Sequence, residues 1–280
     1  MKKYSLIVLI FILLSSCNIL EVQDKSNSIF NHHNPNIVDP NIDYPTIYYP
    51  LAETELNELQ IEFDSLLGSE YDAFMDEYGL VGSYGLLNRG QSSIEDVNEA
   101  ISIAKSAVTH FSKFTNVSDS SLIVVNKATN IGGYYLFTDW VVSFENQIYD
   151  GYEVLNTRIM VLITDEIIQV RENYYTDIFV PTENRISVED AQNLIIGSEI
   201  EYYDFVGLDT LVVKENMFYV NGATERSKVK ILPRDLGDSV EMRVCWRVPI
   251  FAFGGIYPDW YVFVDILSGE VVTSEVLFIG

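Results

Sequence analysis

The sequence is poor in the residues that build metal centres, disulfide frameworks and nucleic-acid interfaces. Its 280 residues include two Cys, three His and 17 Lys plus Arg, against 41 Asp plus Glu, for a formal net charge of −24. Neutralising phosphates requires clustered basic side chains, and so does docking onto anionic lipid. The composition therefore argues against both functions, and it leaves little material for a metal cage or a set of disulfides.

Motifs that carry catalysis are also missing. The sequence contains no G-x-G-x-x-G after a strand-like run, no H-E-x-x-H, no G-x-S-x-G and no D-x-[DN]-x-[DN]-G. The first motif binds phosphates, the second binds zinc, the third presents a serine nucleophile and the fourth binds calcium. Each does so because it fixes the spacing of its ligands or nucleophile. We therefore expect a protein that is not an enzyme and that has no catalytic residue, metal or other cofactor.

One thiol and one imidazole are left as candidates for chemistry. Cys245 lies in a strand-like alternation, Met242–Val248, and is interpreted as a small buried hydrophobe. The alternative, a nucleophile, would need an electropositive site and a base. His110 is the only credible base, and it stands alone on a predicted helix.

The N-terminus indicates export and lipid anchoring. Lys2 and Lys3 precede an apolar run, Leu6–Leu14, that is too short to span a bilayer core of about 30 Å. The following string, L-S-S-C, resembles a bacterial lipobox, which implies a signal peptide over residues 1–16 and a diacylglyceryl group on Cys17. An ordinary secretory signal is the alternative. We expect a protein anchored to a bacterial envelope membrane through this lipid alone, on the outer membrane or the outer face of the cell membrane.

Residues 17–50 are predicted to form an Asn- and Pro-rich tether, in which a Pro recurs every five residues from Pro35 to Pro50. Residues 51–90 are predicted to form a helical lead-in. Its first part, 51–68, has apolar residues at helical spacing with Glu residues between them. Gly79, Gly82 and Gly85 then indicate a flexible connector.

The rest of the chain twice shows a helix followed by strands. A helix is predicted over 93–114, and a second one, begun by Ser187 and ended by Gly197, over 187–196. Alternating apolar residues after each helix predict antiparallel strands. This pattern predicts an α+β fold with two consecutive helix-plus-antiparallel-sheet domains, 91–181 and 182–280, which meet near Pro181.

The segment 140–154 carries the first family resemblance. Gln147, Tyr149, Gly151 and Val154 fall in register with the Q-x-Y-x-G-x-x-V pattern of the FTP domain. That domain is the first half of the propeptides of fungalysins and thermolysin-like metallopeptidases, and it has a cystatin-like fold. The helix over 93–114 lies where the family places its preceding helix.

The segment 260–272 carries the second resemblance. Trp260, Asp265 and Gly269 match the w-y-v-y-v-D-x-x-T-G-x-v ending of a PepSY domain, and residues 186–191 resemble the helix start of the same family. The order, FTP-like then PepSY-like, is that of the propeptides. These family motifs are signatures of a fold, so the resemblance brings no catalytic residue with it.

The residue types in both motifs predict structural roles. Asp265, at the end of a strand, can accept hydrogen bonds from backbone N–H groups two or three residues further on. Gly269 can take the positive φ that closes such a turn, and Gly151 suits a tight turn between strands. We expect these positions to hold hairpins in shape.

The resemblance implies a stand-alone, propeptide-like lipoprotein that binds a secreted metallopeptidase and inhibits it or assists its folding in trans. The alternative is a structural, adhesion or ligand-binding lipoprotein of the envelope with no peptidase partner. Its 18 Tyr and 3 Trp would supply an exposed stacking surface.

Overall fold

The computed structural model describes residues 44–67, 73–87, 94, 96–110, 112, 117, 119, 121, 123–130, 140–164, 167–171, 174–175, 177–183, 185–203, 208–219 and 225–277. The predicted signal peptide, the predicted lipidation site Cys17 and the predicted tether up to residue 43 lie outside these residues. No helix among the described residues is long and apolar enough to cross a membrane.

Strands dominate the described part of the chain. The described residues form fifteen strands: β1 (Thr46–Tyr48), β2 (Ala73–Met75), β3 (Val81–Leu87), β4 (Val125–Asn130), β5 (Trp140–Phe144), β6 (Ile148–Tyr149), β7 (Tyr152–Glu153), β8 (Met160–Ile163), β9 (Ile167–Arg171), β10 (Glu199–Tyr203), β11 (Leu208–Val212), β12 (Lys228–Asp235), β13 (Val240–Ile250), β14 (Trp260–Asp265) and β15 (Val271–Val276). Three α-helices accompany them: α1 (Glu53–Leu67), α2 (Val97–His110) and α3 (Val188–Ile195).

The predicted fold class, α+β with two helix-plus-antiparallel-sheet domains, is wrong, because the protein has a mainly-sheet fold. Part of the reason lies in residues 73–87, where the sequence indicates a helical lead-in and a glycine-rich connector. They form the hairpin β2–β3, and β3 pairs with β9. β10, also unpredicted, pairs with β11. The division near Pro181 stays a prediction.

Two glycines of β3 allow side chains of neighbouring strands to pack closely against the β3 backbone. A Cβ on Gly85 would lie 2.8 Å from Ile167 Cδ1, on the neighbouring strand, and one on Gly82 would lie 3.2 Å from a Phe74 ring carbon. Glycine in a strand often marks such a close approach. The same residues, seen in sequence alone, are also typical of a flexible connector, and this ambiguity produced the wrong prediction.

The larger sheet has six antiparallel strands in the order β2-β3-β9-β8-β5-β4. Helix α2 supplies buried Ala100, Ala104 and Val108 to the core beside it. Two aromatic side chains of this sheet make buried hydrogen bonds to backbone carbonyl groups elsewhere in the core. The Tyr84 hydroxyl donates to the Ala107 carbonyl at 2.8 Å, and the Trp140 indole N–H donates to the Ile94 carbonyl at 2.8 Å.

The second large sheet places β14 between β13 and β15, with β12 and β1 also paired to β13. α3 lies against β13 and begins at Ser187 as predicted; Ser187 forms a capping box with Asp190, whose N–H donates to Ser187 Oγ at 3.1 Å. Gly197, with φ +85°, follows the helix as predicted. A parallel bridge from Val154 to Ile231 of β12 joins the first motif segment to this sheet.

Candidate functional site

The first motif segment, residues 140–154, contains a small hairpin, β6–β7, beside which the neutral side chains of Gln147 and Thr157 make buried hydrogen bonds. Asp150 and Gly151, with φ +48° and +82°, make the two-residue turn between β6 and β7. The buried Gln147 side chain donates to the Tyr175 carbonyl at 2.7 Å and accepts the Tyr175 N–H at 3.1 Å. Gln147 therefore holds a segment 28 residues away, which is a structural role.

The second motif segment, residues 260–272, contains the turn after β14, which is built on a buried carboxylate. Asp265 is fully buried, and its Oδ1 accepts the N–H groups of Leu267 at 2.9 Å and Ser268 at 2.8 Å. These are the bonds to residues two and three further on that the sequence predicts. Gly269 has the predicted positive φ, +71°.

A charged network surrounds this turn. Arg243 contacts Asp265 at 3.2 Å, Glu241 at 2.8 Å and Glu270 at 3.3 Å. Burial works against the Arg243 charge, but the hydrogen bond to Glu241 and the charges of Asp265, Glu241 and Glu270 outweigh it and raise the pKa of Arg243. The guanidinium is permanently charged and bridges the three carboxylates, which is the arrangement of a network that fixes structure.

The two residues considered for chemistry lie in unsuitable places. Cys245 is fully buried, and burial together with the charge of Asp265 raises the pKa of its thiol well above the ordinary value. The thiolate that a nucleophile requires is therefore disfavoured. His110 is exposed in the last turn of α2, which packs on the other large sheet. Within the described ranges, no group of three or more His, Cys, Asp and Glu side chains is placed to hold a metal ion.

An exposed apolar loop joins β13 to β14, and we call residues 251–259 the 251–259 loop. Its Phe253, Ile256 and Tyr257 side chains are 54%, 50% and 71% exposed. Asp259 fixes the base of the loop, since its Oδ2 accepts the N–H groups of Ala252 at 2.7 Å and Phe253 at 3.0 Å. Large apolar side chains gathered on one exposed loop are typical of interaction sites.

Aromatic packing connects the 251–259 loop to the sheet. The Phe253 ring lies 5.5 Å from the ring of Trp260 and 6.1 Å from that of Tyr202. Trp260 is fully buried beneath this contact, and the Tyr202 hydroxyl donates to Asp209 at 3.1 Å. Thus Trp260, predicted only as a fold signature, supports the exposed loop.

Sequence reasoning missed this loop, although a signal was present. The string F-A-F-G-G-I-Y-P places two glycines among large apolar residues between two predicted strands. Such a composition is unusual for a solvent-exposed connection, which is normally rich in small polar residues.

Comparison of the chain with protein-family models and with curated proteins finds no match in either set. The resemblance of the two motif segments to FTP and PepSY domains therefore stays a prediction.

Proposed function

We propose that this chain is a non-catalytic, lipid-anchored protein of the bacterial envelope that binds a secreted metallopeptidase and inhibits it or assists its folding. The observation that carries the binding role is the 251–259 loop, which presents Phe253, Ile256 and Tyr257 to solvent from a base held by hydrogen bonds. The choice of a peptidase as the partner rests on the resemblance of the two motif segments to peptidase propeptides.

The physical basis of binding is the insertion of an apolar loop into a substrate groove. Most binding energy in protein interfaces comes from a few well-packed side chains, and large aromatic residues are prominent among them. Asp259 and the packing of Phe253 on Trp260 hold the loop before the partner arrives. A pre-organised loop loses less conformational freedom on binding, which favours affinity.

The test uses the full chain with a purified thermolysin-like peptidase. We expect inhibition at micromolar concentration, or a higher refolding yield of the denatured peptidase. The double variant Ile256→Ser/Tyr257→Ser should weaken either effect about tenfold or more, because it removes exposed anchors. Ile61→Ser is the matched control, since Ile61 is 69% exposed on α1. The proposal would be contradicted if the wild type neither inhibits the peptidase nor assists its refolding.

A second candidate is an adhesion-type lipoprotein that uses its aromatic rings on glycans or peptides. The exposed Phe253 and Tyr257 rings of the loop favour it, because an exposed ring can stack on a sugar or a peptide, and the contact of Phe253 with Tyr202 and the buried Trp260 supports the loop from below. The same variants separate the candidates. In this case they would reduce binding to cell-wall material, and the wild type would have no effect on the peptidase.

A further inference from the structure

Residues 44–48 lie alongside β13 of the second large sheet, and we call them the strap. Within the strap, β1 pairs antiparallel with residues 240–242 of β13, while β14 pairs with β13 only from Cys245 onward. On the opposite side β13 is paired with β12. The strap therefore fills a strand position that β14 leaves vacant, and its ladder is only three residues long.

The Tyr44 hydroxyl occupies the gap between the ends of β1 and β14. It donates to Asp265 Oδ2 at 2.7 Å, lies 3.2 Å from the Val244 carbonyl oxygen and accepts the Val244 N–H at 2.9 Å. Asp265 Oδ2 is also the oxygen that contacts Arg243. A phenol here satisfies both a backbone donor and a buried carboxylate, a combination that a phenylalanine cannot provide.

Every second side chain of the strap contacts the rest of the protein. Besides the hydroxyl contacts, the Tyr44 ring lies 6.4 Å from that of Phe179, and the Tyr48 ring lies 5.6 Å from that of Tyr175. Between them, Thr46 Oγ1 accepts the Phe179 N–H at 2.8 Å. Positions 44, 46 and 48 face the protein, whereas Ile47 is 36% exposed. Backbone pairing combined with contacts to every second side chain is how sheet edges bind extended peptides.

We propose that this side of β13 is a strand-acceptor site for an extended peptide that carries a tyrosine, and that the strap occupies it as an internal ligand. The site recognises the phenol through Asp265 and Val244, and the Y-x-T-x-Y pattern of the strap describes the ligand it accepts. It lies apart from the 251–259 loop, so it does not depend on the function proposed above. Because the strap ladder is short, the strap can leave while the sheet it pairs with stays formed.

Peptide binding to the full chain tests this site. The probe is a fluorescent peptide of residues 43–49, Asp-Tyr-Pro-Thr-Ile-Tyr-Tyr, and the host is the Tyr44→Ala variant, in which the strap has lost its anchor. We expect saturable binding to this variant and binding at least tenfold weaker to the wild type. The peptide with Tyr44→Phe should bind the variant at least tenfold more weakly than the native peptide. Tyr49→Ala, at a 66% exposed position, is the control host and should behave as the wild type.

Three results would overturn the proposal. They are the absence of saturable binding to a folded Tyr44→Ala chain, equal binding of the Tyr and Phe peptides, and equal binding to variant and wild type. Should Tyr44→Ala fail to fold, Tyr44→Phe removes only the hydroxyl. Amide hydrogen exchange in the strap and at Val244, whose N–H the Tyr44 hydroxyl accepts, should then be at least tenfold faster than in the wild type, with β15 unchanged. Unchanged exchange at these amides would also overturn it.

Discussion

The two motif segments have similar outlines and different chemistry. Each one turns the chain at a glycine of positive φ, Gly151 in the first and Gly269 in the second. The first turn is exposed, and the neutral side chains of Gln147 and Thr157 hold its hairpin. The second turn rests on a fully buried carboxylate, Asp265, with an arginine beside it.

This difference determines how much stability each segment loses when one of its side chains is replaced. In the first segment the turn itself is exposed, and the hydrogen bonds of Gln147 and Thr157 beneath it are buried but neutral, so losing one of them leaves an unsatisfied dipole and no buried charge. In the second segment the buried acceptor is itself charged. Removing the Asp265 carboxylate leaves the Leu267 and Ser268 N–H groups unsatisfied away from water, although Arg243 keeps its contacts with Glu241 and Glu270. The second segment should therefore be the more sensitive of the two to mutation.

Asp265→Ala should have the largest effect. It removes the acceptor for the Leu267 and Ser268 N–H groups and leaves buried Arg243 without its Asp265 partner. We expect the free energy of unfolding to fall by about 3–5 kcal/mol, measured by urea denaturation, because each buried donor left unsatisfied costs about 1–3 kcal/mol. Glu270→Gln is the control, because Glu270 also contacts Arg243 but its side chain is 33% exposed. That change should cost less than about 1 kcal/mol, and equal losses for the two variants would remove the distinction.

The Asp265 turn shows which contacts can be predicted from the sequence and which cannot. Its local bonds were predictable, because an Asp at a strand end followed by Gly at a fixed offset specifies a turn by itself. Its distant partners were not. Tyr44 lies 221 residues from Asp265, in a stretch whose recurring prolines indicate a tether, and nothing local marks it as part of the sheet.

The fold class failed for a related reason. Helices α2 and α3 were predicted because helical spacing and caps are local signals. The hairpin β2–β3 was missed because Gly82 and Gly85 of β3 have their purpose in contacts with Phe74 and with Ile167 of β9. Local patterns therefore gave the helices and many strands, and they could not show how much additional sheet forms through distant pairing.

Alanine at the two glycines compares the turns directly. Both substitutions place a Cβ at positive φ, which costs about 1–2 kcal/mol per residue. At Gly151 the Cβ would meet no described atom within 4 Å, whereas at Gly269 it would lie 2.8 Å from Leu194 Cδ1 on α3. Thermal unfolding should show a loss of about 1 kcal/mol for Gly151→Ala and about 2 kcal/mol for Gly269→Ala. A greater loss at Gly151 would reverse the ranking of the two segments.

The smallest expected effect concerns an ion pair of the first segment, between Glu153 of β7 and Lys230 of β12. Burial opposes ionisation of Glu153, but hydrogen bonds from Lys230 and Asn146 outweigh it and lower the pKa of this carboxyl. A carboxyl whose pKa is lower in the folded state stabilises the protein above its unfolded pKa, about 4.3. That contribution is lost as the pH falls through the folded pKa.

Glu153→Gln isolates this contribution, because glutamine resembles the protonated acid in shape. The Glu153 side chain is 32% exposed, so solvent screening should limit the loss at pH 7 to below about 1 kcal/mol. The difference between variant and wild type in urea denaturation should shrink toward zero as the pH falls from 5 to 3. Glu145→Gln, at an exposed position nearby, is the control. A difference that persists or grows in acid would mean that Glu153 acts through packing, and the first segment would then be held by neutral contacts throughout.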